Sequence, residues 1–424
     1  MSKIFSTMYN GFQRISRGIH HNIPKIIIPL LLLLAGCTKE APEQPVRNDY
    51  LVRAEAVNTM SRETLKNLLG LFGYGQYASL VKSDVRLIRV VYATEYPKGS
   101  TINVSGALLI SGNYDARFPT VLFNHGTNGD RNTSPSVEIS ALPSLEVFLG
   151  ITIASAFNCA VLIPDNIGYG ESQSVTHPYM HGESLGQSGL DFIRAYREYV
   201  SAPDVALPFN NNILITGYSE GGYASVAVHK TIDAHPSEGL KVRKTIAGAG
   251  AYDLAAFSKE VLNNPNPLGT RTLSSYLWVL GMYKTDFRYS KSYADIFSEE
   301  DNTLLQSIGY DLAYYKNETA GLPLNEIPSQ LFKPEFISGV LNDTDAEFIR
   351  ISQQNSFIDF TPKDSIIFVY GDADTWVYPV NSVNAYNAMS AKQCPVKACL
   401  HPGGDHETTL SLYLDVLLER LQDM

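Results

Sequence analysis

Residues 213–222 read Ile-Leu-Ile-Thr-Gly-Tyr-Ser-Glu-Gly-Gly and say more about the fold than any other stretch of the chain. A short apolar strand runs directly into the pattern G-x-S-x-G, and a helical pattern begins directly after it. In that context Ser219 stands on a tight strand-to-helix turn with its hydroxyl in the open. Gly217 and Gly221 are needed because side chains there would collide with neighbouring backbone. The sequence therefore predicts a nucleophilic Ser219; the alternative is a glycine-rich helix start with a surface serine.

Short apolar strands alternate with helices on both sides of this turn. Strands that are apolar throughout and separated by helices are typical of a mostly parallel sheet with helices on both faces, so the predicted fold class is α/β. Upstream, two extended runs around a turn predict an antiparallel hairpin at residues 85–93 and 102–110. The other strand candidates are residues 120–123, 159–163, 213–216, 242–249, 366–370 and 396–400, and the helix candidates are residues 143–157, 183–200, 221–234, 382–389 and 407–422.

One interval interrupts this alternation. Residues 255–361 contain no convincing strand, and a structureless stretch of that length is uncommon inside a compact domain. We therefore predict an inserted helical cap at residues 255–361, between a first core part at residues 61–254 and a second at residues 362–424. Its aromatic side chains either line a substrate pocket or pack the cap's own core, and the sequence favours neither. They are Tyr276, Trp278, Tyr283, Phe287, Tyr289, Tyr293, Phe297, Tyr310, Tyr314 and Tyr315.

A serine hydroxyl becomes a strong nucleophile only when a base accepts its proton, so a histidine and an orienting acid are expected downstream. The strand candidate at residues 366–370 leads into Gly-Asp372-Ala-Asp374, and the one at residues 396–400 leads into Gly-Gly-Asp405-His406. His406 is the expected base, whereas His401 suits a structural or solvent-exposed role. Asp372 and Asp374 are both candidates for the acid. Asp405 is expected to cap the last helix or to lie on the surface.

The oxyanion that forms during acyl transfer needs two backbone N–H donors. One is expected from the start of the helix behind Ser219, where Glu220 offers an unpaired N–H group. The loop after the strand candidate at residues 120–123 reads Asn-His125-Gly-Thr127-Asn-Gly. Its His-Gly pair resembles a known type of oxyanion loop, and this resemblance implies that the second donor comes from there. We assign the two donors to the backbones of Thr127 and Glu220. His125 is expected to hold this loop in place rather than to react.

Together these motifs resemble the bacterial secretory esterases and lipases of the α/β-hydrolase superfamily, a group related to the capped lipase A type of fungi. The resemblance covers most of the chain after about residue 60. It implies the α/β-hydrolase fold and a Ser219–Asp374–His406 triad, with Asp374 favoured because Val377 and Pro379 follow it as in the family. The motifs that carry it are His125-Gly126-Thr127, Pro164–Ser172, His177-Pro178-Tyr179, Gly217–Gly222, Gly248–Asp253, Gly371–Asp374 and His406.

The resemblance implies a serine carboxylic-ester hydrolase that acts on small-molecule or lipid esters. One alternative is a serine peptidase of the prolyl-oligopeptidase type, although the chain shows no propeller repeats at its N-terminal side. Another is a surface lipoprotein that binds ligands on a catalytically inactive scaffold. No cofactor is expected, because the dinucleotide fingerprint is missing. No metal site is expected either, because the acidic residues are scattered along the sequence.

The N-terminal residues predict an exported lipoprotein. Four basic residues and no acidic residue precede position 38, and an apolar run ends in Leu-Ala-Gly-Cys37. A basic flank, a short apolar stretch and small residues before the cut describe a signal peptide. The cysteine after Ala-Gly resembles a bacterial lipoprotein signal. We expect a signal at residues 1–36, lipid on Cys37, a tether at residues 37–60, and anchorage to the outer membrane or cell surface. An ordinary signal peptide or an uncleaved anchor is the alternative.

Charge and cysteine usage add further limits. The formal net charge is −10 and becomes −14 once residues 1–36 are removed. Nucleic acid is therefore not an expected partner, since phosphate binding needs clustered Lys and Arg. Cys159 lies in an apolar run and is expected to be a buried thiol. Cys394 and Cys399 are close enough in sequence for a small-loop disulfide, and two free thiols are equally compatible with the sequence. The oligomeric state is left open.

Overall fold

The computed structural model describes residues 49–141, 143–312 and 321–424. Nine strands in these residues form one mixed sheet in the order β1-β2-β3-β5-β4-β6-β7-β8-β9. Pairing is antiparallel from β1 through β5 and parallel from β5 onward, which confirms the predicted mostly parallel sheet. The strands are β1 Leu51–Met60, β2 Val85–Glu95, β3 Thr101–Ser111, β4 Thr120–Asn124, β5 Ala160–Pro164, β6 Asn212–Tyr218, β7 Lys241–Gly248, β8 Ile366–Gly371 and β9 Val396–His401.

Helices connect the strands and cover the sheet. The predicted strands and helices of the two core parts are present, with ends shifted by at most two residues. The helices are α1 Arg62–Leu71, α2 Pro135–Glu138, α3 Leu145–Phe157, α4 Gly182–Ser201, α5 Glu220–Ala234, α6 Leu254–Leu262, α7 Thr270–Thr285, α8 Tyr293–Ile296, α9 Glu299–Ser307, α10 Pro328–Leu331, α11 Pro334–Leu341, α12 Ala346–Gln354, α13 Val380–Ala391 and α14 Thr409–Gln422.

Both faces of the sheet are buried. On one face α3 and α14 pack with Phe148 and Leu417 among their inward side chains. On the other face α4 and α5 pack with Phe192 and Val228 among theirs. A large apolar side chain buried in this way contributes roughly 1.5–3 kcal/mol. The two layers of helices hold the carboxyl ends of the parallel strands in fixed positions.

The segment at residues 51–60 corrects one prediction. It is not tether but the strand β1, which pairs antiparallel along its length with β2. The Glu198 carboxylate accepts a hydrogen bond of 2.6 Å from the backbone N–H of Leu51 and fixes the start of the strand. The folded core therefore begins ten residues earlier than the predicted residue 61. The sequence shows no apolar pattern for this strand, because the strand lies at the sheet edge, where half-exposed polar side chains are tolerated.

Residues 254–354 add α6 to α12 to the molecule. In the described part of this segment the only strand-type pairing is an isolated antiparallel bridge between Phe297 and Phe332. The structure describes eight of the listed aromatic residues, the seven from Tyr276 to Phe297 and Tyr310. Most of them belong to one apolar cluster, which also includes the core residues Tyr223 and Phe368. The segment therefore packs directly onto the core. Tyr314 and Tyr315 lie outside the described residues.

Three cysteines are described, and all three are free thiols: Cys159, which is buried as predicted, and the half-buried Cys394 and Cys399. The expectations for the signal peptide and for Cys37 lie outside the described residues. Among the helices that are described, none is both long enough and apolar enough to cross a membrane.

Candidate active site

Ser219 lies at the junction between β6 and α5 in a backbone conformation that side chains rarely adopt. Its φ is 59° and its ψ is −123°. Such a residue costs on the order of 1–3 kcal/mol and persists only where its surroundings fix it. Here the Ser219 N–H donates a 2.8 Å hydrogen bond to the carbonyl oxygen of Gly248 at the end of the neighbouring strand β7. The side chain is thereby turned out of the sheet beyond its carboxyl edge.

Two glycines make this tight turn sterically possible. A Cβ on Gly217 would overlap the carbonyl group of Gly221, and a Cβ on Gly221 would overlap the carbonyl oxygen of Asn124. These atoms belong to backbone, which cannot move aside as the end of a flexible side chain can. The glycines that the G-x-S-x-G pattern requires are therefore needed for the close approach of β4, β6 and α5.

The three side chains expected from the sequence meet at this turn. The Nε2 atom of His406 lies 3.0 Å from the Oγ atom of Ser219. The Nδ1 atom of the same ring lies 2.7 Å from the Oδ2 atom of Asp374. All three side chains are buried, and Ser219 and His406 keep 8% and 7% exposure. Both distances are within hydrogen-bond range, so a proton can pass from serine to histidine while the carboxylate orients the ring.

The two candidate acids differ in their contacts. The Oδ1 atom of Asp374 accepts hydrogen bonds from the backbone N–H groups of Trp376 and Val377, at 2.9 and 2.8 Å. Its Oδ2 atom contacts the Nδ1 atom of His406. Asp372 is exposed instead, and its Oδ1 atom accepts a 2.6 Å hydrogen bond from the N–H of Gly403. The loop after β8 thus brings Asp374, and not Asp372, to the histidine.

His406 is held from three sides. The Tyr218 hydroxyl donates a 2.7 Å hydrogen bond to the His406 carbonyl oxygen. The Trp376 ring lies against the imidazole with 4.6 Å between ring centroids. The Asp405 carboxylate accepts hydrogen bonds from the backbone N–H groups of Glu407 and Thr408 and shapes the turn before α14, in line with its expected capping role. His401 lies away from Ser219 and contacts the Thr409 hydroxyl at 3.3 Å.

The loop after β4 runs beside Ser219. Gly126 faces the Ser219 side chain, and its own N–H donates a 2.7 Å hydrogen bond to the Glu146 carboxylate. In the described residues, the N–H groups of Thr127 and Glu220 donate no hydrogen bond within the protein. Both groups are therefore available to an external acceptor. The Gly126 N–H is not available, because it already donates to Glu146. Thr127 and Glu220 are the residues whose backbones the sequence analysis assigns as oxyanion donors.

His125 links this loop to the loop after β5. Its Nδ1 atom lies 2.7 Å from the Gly126 carbonyl oxygen, and its Nε2 atom lies 3.2 Å from the Asp165 carbonyl oxygen. Burial by itself would lower the pKa of His125, but the nearby Glu146 and Glu220 carboxylates and the two carbonyl oxygens raise it overall. Burial also raises the pKa of Glu146. The contacts of His125 are those of a structural residue.

Glu220 is anchored by a residue whose role the sequence did not show. The Nε2 atom of His177 lies 2.5 Å from the Oε1 atom of Glu220, and both side chains are buried. The adjacent Tyr179 hydroxyl lies 3.0 Å from the Thr127 hydroxyl. The His177-Pro-Tyr179 turn therefore contacts both residues whose backbones are the expected oxyanion donors. Only the position of this motif before α4 marked it in the sequence.

Helix α7 reaches the same site from the cap side. Trp278 stacks on the Tyr179 ring at 4.5 Å with an interplanar angle of 8°. Ser275 accepts a 3.1 Å hydrogen bond from the Trp376 indole N–H. Arg271 lies over the Trp376 ring and forms a 2.9 Å ion pair with Glu407. Trp376, which the sequence analysis did not single out, thus joins the cap helix to the loops that carry Asp374 and His406.

Several solved structures share this architecture. A candidate hydrolase from Legionella pneumophila matches with a TM-score of 0.76 and 22% identity, over 88% of this chain and 98% of that chain. The rice cell wall degrading esterase LipA from Xanthomonas oryzae matches with a TM-score of 0.72 and 19% identity, over 89% and 97%. Candida antarctica lipase A in its closed state matches with a TM-score of 0.59 and 14% identity, over 85% and 78%.

These likenesses establish the architecture of the chain. No protein-family model and no curated protein matches the sequence. The structural matches, together with the nine-stranded mostly parallel sheet, show that the chain has the α/β-hydrolase fold that its motifs predict. Because fold does not by itself fix activity, the function has to be argued from the site.

Proposed function

We propose that the protein is a serine hydrolase of carboxylic esters. The observation that carries the proposal is the chain of contacts from Ser219 Oγ to His406 Nε2 at 3.0 Å and from His406 Nδ1 to Asp374 Oδ2 at 2.7 Å. The strained turn at Ser219, which turns the nucleophile out beyond the carboxyl edge of the sheet and towards His406, adds a second, independent support.

The reaction proceeds in two acyl-transfer steps. Ser219 Oγ attacks the ester carbonyl carbon while His406 accepts the hydroxyl proton. Asp374 holds the His406 tautomer and stabilises the imidazolium that forms. His406 then donates the proton to the departing alcohol, which leaves an acyl group on Ser219. In the second step His406 takes a proton from water and the resulting hydroxide attacks the acyl-enzyme. The bond between the acyl carbon and Ser219 Oγ then breaks, His406 returns the proton to Oγ, and the carboxylic acid is released. His406 carries every proton that moves between Ser219, the alcohol and water, so no cofactor is required.

The oxyanion of each tetrahedral intermediate is stabilised by the backbone N–H groups of Thr127 and Glu220. Thr127 lies in the loop after β4 and Glu220 is the first residue of α5, and neither N–H group has a hydrogen-bond acceptor in the described part of the protein. The positive end of α5 adds to the effect of the Glu220 N–H group. Loss of one such donor usually costs about 100- to 1,000-fold in turnover.

Esters are favoured over peptides as substrates. Two of the structural neighbours are an esterase and a lipase. The same triad supports peptide hydrolysis in the prolyl-oligopeptidase branch, so peptides are the second candidate. That branch carries a propeller domain, and the sequence shows no propeller repeats.

Labelling of the active serine tests this proposal. A fluorophosphonate probe should label the protein and the control Ser140→Ala, which removes an exposed serine outside the site, but should not label Ser219→Ala. Turnover of p-nitrophenyl acetate, butyrate and octanoate should fall by about a million-fold in Ser219→Ala. Labelling that persists in Ser219→Ala would contradict the proposal. Labelling at Ser219 combined with faster cleavage of peptides than of esters would favour the peptidase instead.

We also propose that lipid on Cys37 holds the protein at a membrane. The proposal rests on the Leu-Ala-Gly-Cys37 sequence after a basic and apolar segment. Thr38 follows the cysteine, and in bacterial lipoproteins a residue other than Asp at this position favours export to the outer membrane. In that location the enzyme would meet lipid esters and other esters outside the inner membrane.

A further inference from the structure

Three metal-binding side chains meet at a place far from Ser219. His229 and Asp233 are four residues apart on α5 and therefore share one face of that helix. Asp364 lies in the loop that leads into β8. One ligand atom from each of His229, Asp233 and Asp364 lies within 4.8 Å of the other two. The cluster is at the C-terminal end of α5 and the N-terminal end of β8, whereas Ser219 and Asp374 lie at the opposite ends of these elements.

The imidazole of His229 points an unpartnered nitrogen into this cluster. Its Nδ1 atom lies 2.9 Å from the Thr245 hydroxyl oxygen. Its Nε2 atom is fully buried and has no hydrogen-bond partner in the described part of the chain. The nearest carboxylate oxygen, Oδ2 of Asp233, is 3.8 Å away, too far for a hydrogen bond. When Nδ1 donates to Thr245, Nε2 presents its lone pair to the two carboxylates.

The surrounding groups leave the cluster rich in acceptors. The Lys363 N–H donates a 3.1 Å hydrogen bond to Oδ2 of Asp233, and the Lys363 ammonium donates to the Asp233 carbonyl oxygen at 2.9 Å. No other hydrogen-bond donor to either carboxylate appears among the described residues. Burial and the Asp233 carboxylate raise the pKa of Asp364, and the nearby Arg243 and Lys363 charges offset this only in part. A buried lone pair beside two carboxylates therefore attracts a further cation.

We propose that His229, Asp233 and Asp364 bind one divalent metal ion of the zinc type. One imidazole nitrogen and two carboxylate oxygens suit Zn²⁺ better than Ca²⁺ or Mg²⁺, which prefer oxygen ligands alone. Tetrahedral Zn²⁺ brings ligand atoms to about 3.3 Å from one another, so the carboxylates need to close by roughly 1 Å. Both aspartates are only partly buried. A water molecule completes the coordination.

Thr245 acts as the outer partner that orients the metal ligand. A hydroxyl or carbonyl group that accepts from one ring nitrogen fixes which nitrogen binds the metal. The site ties the end of the helix behind Ser219 to the loop that enters the strand leading to Asp374. Its role is therefore structural, and the chemistry at Ser219 does not require it. This proposal departs from the expectation of no metal site, because Asp364 is distant along the chain from the two ligands on α5 and no local pattern links them.

Zinc titration of the full chain tests the proposal. Protein stripped with a chelator should bind ZnCl₂ in isothermal titration calorimetry with one saturable high-affinity equivalent. Its Tm should rise by about 3 °C at saturating zinc. Asp364→Asn and Asp233→Asn should each weaken that equivalent at least tenfold and remove the rise in Tm. Asp359→Asn, an exposed aspartate five residues before Asp364, should bind zinc as the unaltered protein does.

The two aspartate variants keep the size of the side chain, so we expect both to fold. Circular dichroism before the titration verifies this, and a loss of zinc binding can then be assigned to the lost ligand. Equal zinc affinity in Asp364→Asn, Asp233→Asn and the unaltered chain would overturn the proposal. The absence of a saturable equivalent in the unaltered chain would overturn it as well. Tighter binding of CaCl₂ than of ZnCl₂ would overturn the assignment to zinc.

Discussion

At the scale of single residues, the two aspartates after β8 show how a hydrogen-bond network selects one carboxylate. Asp374 receives two backbone N–H groups on one oxygen and presents the other to His406, while Asp372 binds the N–H of Gly403. We expect Asp374→Asn to keep the fold and to lower turnover roughly several thousand-fold, because the asparagine amide favours the wrong histidine tautomer.

Asp372→Asn is the matched control for this variant. It should stay within about threefold of the unaltered turnover, since its contact with Gly403 does not involve His406. The measurement is kcat on p-nitrophenyl butyrate, with circular dichroism to verify folding. If Asp372→Asn were inactive and Asp374→Asn active, the acid would have been assigned to the wrong residue.

Gly221 is a second position where one atom decides the outcome. A Cβ there overlaps the carbonyl oxygen of Asn124, which belongs to the strand beside the turn. We expect Gly221→Ala to lower the free energy of unfolding by about 3 kcal/mol and to abolish esterase activity. Gly70→Ala is the control, because a Cβ on that helical glycine meets no atom within 4 Å. It should be neutral or gain about 0.5 kcal/mol. Urea denaturation that gives equal midpoints for the two variants would refute the steric argument.

The residues that could be predicted from the sequence are those whose role depends on local order. Ser219 follows a strand and precedes a helix, and His406 and Asp374 each follow a strand. Trp376 and Glu146 act through partners far away in the chain, namely Ser275 on the cap and Gly126 on the β4 loop. No local pattern marks such pairs, so the sequence could not reveal them.

At the scale of elements, periodicity predicted the buried strands well and the edge strand poorly. Strands β4 and β5 are buried on both faces and appear in the sequence as continuous apolar runs. Strand β1 has no fully buried side chain, and its pairing with β2 comes from backbone hydrogen bonds. Backbone pairing leaves little trace in side-chain chemistry, and β1 was therefore predicted as part of the tether.

The contacts of Trp278 on helix α7 favour a packing role for this ring over a role in lining a substrate pocket. The ring is buried, stacks on Tyr179 and lies edge-on to His177, so it supports the turn that contacts Thr127 and Glu220. We therefore expect Trp278→Ala to slow acetyl and octanoyl esters by the same factor. The free energy of unfolding should also fall by about 3 kcal/mol, as for other large-to-small core changes.

Trp278→Phe is the control for this prediction. It keeps an aromatic ring on Tyr179 and should retain most of the activity and stability. The measurements are kcat/KM on p-nitrophenyl acetate and octanoate, together with Tm. A loss confined to the octanoyl ester, with Tm unchanged, would show instead that Trp278 lines the acyl-binding wall.

At the scale of the whole molecule, net charge bears on the membrane attachment that we propose. The chain without residues 1–36 has a formal net charge of −14, which repels anionic lipid headgroups. None of the described helices could cross a bilayer. In the proposed anchor on Cys37 the attachment comes from buried acyl chains, each methylene of which contributes about 0.8 kcal/mol. Such binding is insensitive to salt, whereas binding by charge is weakened by it.

The last prediction follows from this balance of forces. Membranes that carry the unaltered protein should keep it through a wash with 1 M NaCl and release it with detergent. Cys37→Ser should accumulate as an uncut precursor without lipid, and mass spectrometry of the unaltered protein should give an N-terminus at an acylated Cys37. Cys394→Ser, which changes a half-buried free thiol, should behave as the unaltered protein does. A mature N-terminus at any other residue, or release by salt alone, would rule out the lipid anchor.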